Sequence, residues 1–126
     1  MNVIHVIYIC GVYNMLFALF HLFFWKIFNW ETELKKLHFS NKAIMQILNL
    51  RITYVFLFMS FLYFYYVQEM ITSKLGHVII AGMGIFWLGR AIEQFVFFNF
   101  KSKRVNMLTV VFLLGTMIHF LPLLYI

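Results

Sequence analysis

The segment GRAIEQFVFF, residues 89–98, brings Arg90, Glu93 and Gln94 together within five residues of an otherwise apolar stretch. Spacings of three and four put side chains over one another on a helix, so Arg90 can pair with Glu93 or with Gln94. Two kinds of chemistry follow from such a cluster. A carboxylate held beside a guanidinium can exchange a proton with a histidine at the same depth, which makes Glu93 and His21 the candidate catalytic pair. Alternatively, the guanidinium can hold the anionic or carbonyl head of a bound molecule while Glu93 orients it.

The surroundings decide where such chemistry would take place. Of 126 residues, 64% are hydrophobic and 11% charged, against about half and about a quarter in a soluble domain. Four stretches carry no charge at all, residues 1–25, 52–68, 75–89 and 105–126. A bilayer core about 30 Å thick takes roughly 20 helical residues, so the spacing predicts four spans, 3–28, 44–68, 77–100 and 106–126. Ten basic residues against four acidic ones do not indicate nucleic acid, because most of the charge is interleaved with apolar blocks rather than spread over a polar surface. The first span has no lysine or arginine before it and no small-residue cleavage site after it, so it is expected to be retained rather than cut as a signal peptide. Cys10 is the single cysteine and is expected to pack as a small apolar side chain.

Loop charges set an orientation. Lys26, Lys35, Lys36 and Lys42 flank or fill the first loop, and Lys101, Lys103 and Arg104 fill the third, while the second has Lys74 balanced by Glu69. Basic loops stay on the cytoplasmic side, which puts both termini on the non-cytoplasmic side. Short loops between four spans imply one all-α domain, a four-transmembrane-helix up-and-down bundle, expected in a bacterial cytoplasmic (inner) membrane. Glu31 with Lys35 and Glu33 with Lys36 have the spacing of a short interfacial helix, with Ser40 and Asn41 placed to cap the second span. Trp25, Trp30 and the YFYY run at 63–66 suit the two membrane interfaces.

Counting at 1.5 Å per residue from the inner ends of these spans puts His21, Arg51 and Glu93 at roughly 10 Å, with Gln94 and Asn49 close by, Arg90 at about 15 Å level with Thr116, and Asn14 and His119 at roughly 20 Å. Charges at such depth usually face a bundle interior or water. The candidate ligand-binding set is therefore Arg90, Glu93, Gln94, His21, Arg51, Asn14 and His119. Two alternatives stand for Arg51, which either joins that layer or snorkels to the headgroups. Gly82, Gly89 and Glu93 share a face, where the glycines leave room for a neighbouring helix or a ligand. Haem is disfavoured, since His21 and His119 differ by about 9 Å in depth. His5 and His77 match in depth without a carboxylate or thiolate beside them, so no metal site is expected. A quinone is compatible with the layer, and the cofactor is otherwise open. Pro122 cannot donate a backbone hydrogen bond, which frees the carbonyl one turn back at Ile118.

The size, the four spans and an arginine in the third of them, Arg90, resemble the DoxX-like small four-helix membrane proteins over most of the chain. That resemblance implies an accessory membrane subunit, in a group that includes subunits associated with quinone-linked oxidation. Small multidrug exporters are also four-helix proteins of this length, but their essential carboxylate lies in the first span, which here has none. The expected function is binding of a lipid-like or quinone-like molecule in a polar intramembrane pocket near the cytoplasmic side. Two alternatives are a structural or accessory subunit of a membrane complex and a small membrane enzyme doing acid/base chemistry on an apolar substrate. Membrane lipids surround the chain in every case, and a homo-oligomer or a membrane-protein partner is compatible with its apolar surface.

Overall fold

The computed structural model describes residues 2–126. Among them the chain is helical with no strand: α1 (Val3–Leu22), α2 (Phe24–Ile27), α3 (Trp30–Glu33), a 3-10 turn (Leu34–Lys36), α4 (Phe39–Tyr65), α5 (Val67–Thr72), α6 (Lys74–Phe97), α7 (Lys103–Phe120) and a closing 3-10 turn (Leu121–Leu124). Four segments are long and apolar enough to cross a membrane, Val3–Leu22, Phe39–Tyr65, Lys74–Phe97 and Lys103–Leu124. This is the make-up of a multi-pass membrane protein.

The chain divides into two compact units, residues 11–62 and residues 2–10 with 63–126. In the unit of residues 11–62, α1 stops at Leu22, short of the 28 that apolar composition suggested. There the Phe23 amide is shared between the Leu19 and Phe20 carbonyls at 3.3 and 3.1 Å, and Asn49 Nδ2 on α4 donates to the His21 carbonyl at 3.0 Å. The chain then makes the short α2 and turns at Asn29, whose φ of 53° is left-handed, a conformation asparagine tolerates better than most residues. The short helix expected around Glu31 appears as α3 and its 3-10 extension, with a Glu33–Lys36 ion pair at 3.2 Å on its exposed side. α4 begins five residues earlier than position 44, because His38 starts the helix. Its Nδ1 accepts from the Ser40 amide at 3.4 Å and its carbonyl accepts from Lys42 at 3.0 Å. Capping thus falls to His38 and not to Ser40 or Asn41. Further along, Ser60 Oγ donates to the Gly11 carbonyl at 2.8 Å, a second polar tie between α4 and α1.

In the other unit, α5 packs against the start of α6, and α6 against α7. Ser73 caps α6, its hydroxyl accepting from the Gly76 amide at 2.9 Å while donating to the Glu69 carbonyl at 2.6 Å. A side chain at Gly76 would run into the backbone of Glu69 and Met70, so the sharp α5–α6 corner needs glycine there. A Cβ at Gly84 would lie 2.7 Å from the Phe120 ring, which sets how closely α6 and α7 approach. Near the chain's end, the carbonyl that Pro122 leaves free at Ile118 accepts from the Cys10 thiol at 3.5 Å. Cys10 is therefore more than filler.

Candidate functional site

Within the unit containing α6 and α7, the GRAIEQ cluster is split among three environments. Gln94 is buried at 1% exposure and looks at α7, where its Nε2 donates to Thr109 Oγ1 at 3.0 Å and to the Val105 carbonyl at 3.3 Å. Thr109 itself donates to the Val105 carbonyl at 2.9 Å. An amide with two interhelical acceptors is satisfied as a fastener, and Gln94 does not turn back to Arg90. Its Oε1 makes no hydrogen bond.

Arg90, half-buried, lays its guanidinium 4.3 Å from the centre of the Phe112 ring on α7. An arginine over an aromatic face within about 6 Å is held by the ring's quadrupole, and the contact leaves the edge N–H donors unspent. Glu93 is close enough to act on Arg90 electrostatically, yet no ion pair within 4.0 Å joins them among the described residues. Its carboxylate is exposed on the face away from Gln94. The three-residue spacing permits a pairing that the described residues do not make.

Beyond Phe112 lies a buried aromatic column that spacing did not reveal. Trp87 stacks on Phe112 with centroids 6.0 Å apart, meets His119 at 5.7 Å, and His119 meets Tyr63 edge-on at 5.9 Å. His119 is fully buried, and its Nδ1–H donates to the Gly115 carbonyl at 2.6 Å. The hydroxyl of Tyr63 is buried without a hydrogen-bond partner. Its signal in the sequence is faint: Trp87, Phe112 and His119 are three apolar-face residues among many, and only the α6–α7 register brings them together.

In the other unit, His21 donates Nδ1–H to the Phe17 carbonyl at 3.0 Å and stacks on Phe24 at 4.3 Å. Phe56 meets its edge at 5.3 Å. Asn49 ties α4 to α1 through the His21 carbonyl. Asn14 is fully buried, whereas Arg51 is exposed, 6.0 Å from the Tyr54 ring. Within this unit, Arg51 therefore does not join His21. Among the described residues, no three of His, Cys, Asp and Glu gather as a metal ion would need.

The chain matches no known protein family, curated protein or solved structure. What it does must be argued from these side chains alone.

Proposed function

We propose that the chain is a non-catalytic, structural or accessory subunit of a membrane assembly, in a bacterial cytoplasmic (inner) membrane with both termini outside. The supporting observation is how its buried polar groups are spent. Gln94 on Thr109 and Val105, Asn49 on His21, Ser60 on Gly11 and Cys10 on Ile118 are all ties from one helix to another. A catalytic layer would keep such groups uncommitted and facing a substrate. Here they fasten helices, and the charge that remains, at Glu93 and Arg51, is exposed. The DoxX-like resemblance implies the same class of role on architecture alone.

Mass spectrometry of lipid extracts from cells with and without the chain tests this directly. Unchanged lipid species are expected, and a species that accumulates on deletion and disappears on re-expression would overturn it. Arg90 favours a second reading, in which its unspent donors hold the anionic or carbonyl head of a lipid-like or quinone-like molecule against Phe112. That reading requires Arg90→Gln to strip a co-purifying lipid or quinone. The structural reading requires the bound fraction to stay unchanged.

A further inference from the structure

We propose that the outward face of α4 is a binding site for one anionic phospholipid, with its phosphate on Arg51 and an acyl chain along the rings of Tyr54, Phe58 and Phe61. This goes beyond the structural-subunit reading and uses a different residue from the Arg90 alternative.

Arg51, Tyr54, Phe58 and Phe61 are spaced by three, four and three residues, so they form one stripe along a helix. All four are exposed. Within the unit of residues 11–62, the opposite face of α4 is spent on α1. Phe56 and Ser60 are buried there, Ser60 donating to the Gly11 carbonyl and Phe56 lying against Phe17 and His21. The rings of the outward stripe form a ladder. Tyr54 and Phe58 stack with centroids 6.1 Å apart and planes 7° from parallel, and Phe58 stacks on Phe61 at 6.5 Å. The Arg51 guanidinium stands 6.0 Å from the centre of the Tyr54 ring, at the end of the ladder nearer the first loop.

An apolar ladder alone would accept any lipid tail. Arg51 selects the head. Among the described residues it makes no ion pair and no hydrogen bond, and exposed Ile47, Leu48 and Leu50 lie on the turn before it. A guanidinium in such surroundings needs an anion or water, and its planar fork of donors matches a phosphate. The length of α4 sets the level. Its 27 residues extend about 40 Å, so about 10 Å projects beyond a hydrocarbon core of about 30 Å. Ser40, Asn41, Lys42 and Gln46 put that excess at the first-loop end, while residues 52–68 carry no charge. Arg51 is therefore the last charge before the apolar run, and its long side chain reaches the headgroups from there. Tyr54, an apolar ring with a polar tip, suits the level of the ester groups. From Arg51 to Phe61 the helix rises about 15 Å, the depth of one leaflet. Cation and ladder thus match the head and tail of one phospholipid in order and in length. A lipid whose head carries its own ammonium neutralises its phosphate internally, so an unpaired arginine favours a phosphodiester without a cationic group.

The test uses the purified full chain, stripped of lipid in mild detergent and followed by native mass spectrometry. The probes are dioleoyl phosphatidylglycerol and, with the same tails on a zwitterionic head, dioleoyl phosphatidylcholine. Wild type should retain the phosphatidylglycerol in preference. Arg51→Gln should weaken phosphatidylglycerol binding about fivefold, the worth of one basic residue at an anionic membrane surface, whereas Lys101→Gln, also exposed, should change it by less than about twofold. Combined Tyr54→Ala and Phe58→Ala should weaken both lipids alike, because the tails are the same. Equal retention of the two lipids by wild type, or a loss in Arg51→Gln no larger than in Lys101→Gln, overturns the proposal. So does an Arg51→Gln chain that sheds a bound membrane protein while its lipid retention is unchanged, which would give Arg51 to a carboxylate on that protein. The wild-type comparison needs no substitution, so it decides even where a variant does not fold.

Discussion

Replacing Gln94 by leucine should loosen α6 from α7, and the size of the effect is set by what the amide holds. Its Nε2 donates to Thr109 Oγ1 at 3.0 Å and to the Val105 carbonyl at 3.3 Å. The Val105 carbonyl keeps the Thr109 hydroxyl at 2.9 Å when Gln94 is gone, and that hydroxyl still donates, so leucine leaves neither group without a hydrogen bond. Leucine also removes the unpartnered Oε1, which offsets part of the loss. The net change is therefore small and the informative quantity is the coupling between the two side chains. Interhelical hydrogen bonds in membrane proteins average about 0.6 kcal/mol by double-mutant cycle, with a maximum of about 1.7. The Gln94→Leu, Thr109→Val cycle should give a favourable coupling in that range when unfolding is followed in mild detergent. Gln94→Glu sharpens the test, because it keeps the shape but turns the donor into an acceptor facing the Val105 carbonyl. Stability should fall in the order wild type, leucine, glutamate. A coupling of zero, or a glutamate variant as stable as wild type, would refute the assignment of Gln94 as a fastener.

Three further substitutions probe the same unit. Cys10→Ala should destabilise by about 0.5–1 kcal/mol and Pro122→Ala should rescue it, since alanine supplies an amide for the Ile118 carbonyl. Additive effects in thermal unfolding would show that the thiol serves only as filler. Gly84→Ala should cost about 1–3 kcal/mol by forcing the Phe120 ring aside, whereas Gly82→Ala should leave the monomer as stable or more so by up to about 1 kcal/mol. Equal effects at both positions would contradict the packing of α6 on α7. Tyr63→Phe should be neutral or stabilising by about 1 kcal/mol, because the buried hydroxyl it removes has no partner; a clear loss of stability in the same assay would mean that the hydroxyl is bonded.

The four spans were legible because runs of uncharged residues as long as 105–126 have few other uses. Their ends were not. α1 ends beside the His21 carbonyl that Asn49 bonds, and α4 starts where His38 caps it, and both contacts lie in side-chain geometry that composition does not encode. Depth counting singled out residues 90, 93 and 94, yet not which way each points. Gln94 and Glu93 are neighbours on the chain, but one helical step of about 100° separates them, enough to put one against α7 and the other outside. Spacing states what Arg90 can reach, and Phe112, twenty-two residues on, decides what it does reach. The freed carbonyl at Ile118 was readable from Pro122, but the donor that takes it comes from 108 residues away.

That last separation bears on how the protein is made. The α6–α7 hairpin is local, and its Gln94–Thr109 bond closes over 15 residues, so it can form as soon as both helices have entered the bilayer. Cys10 reaches the membrane long before Ile118 leaves the ribosome, and during that interval its helix has no place to dock in this unit. The thiol–carbonyl bond is then among the last contacts to close, and it reports completion: chains halted before residue 118 hold a first span already tied to α4 at His21 and Gly11 but not yet docked at Cys10.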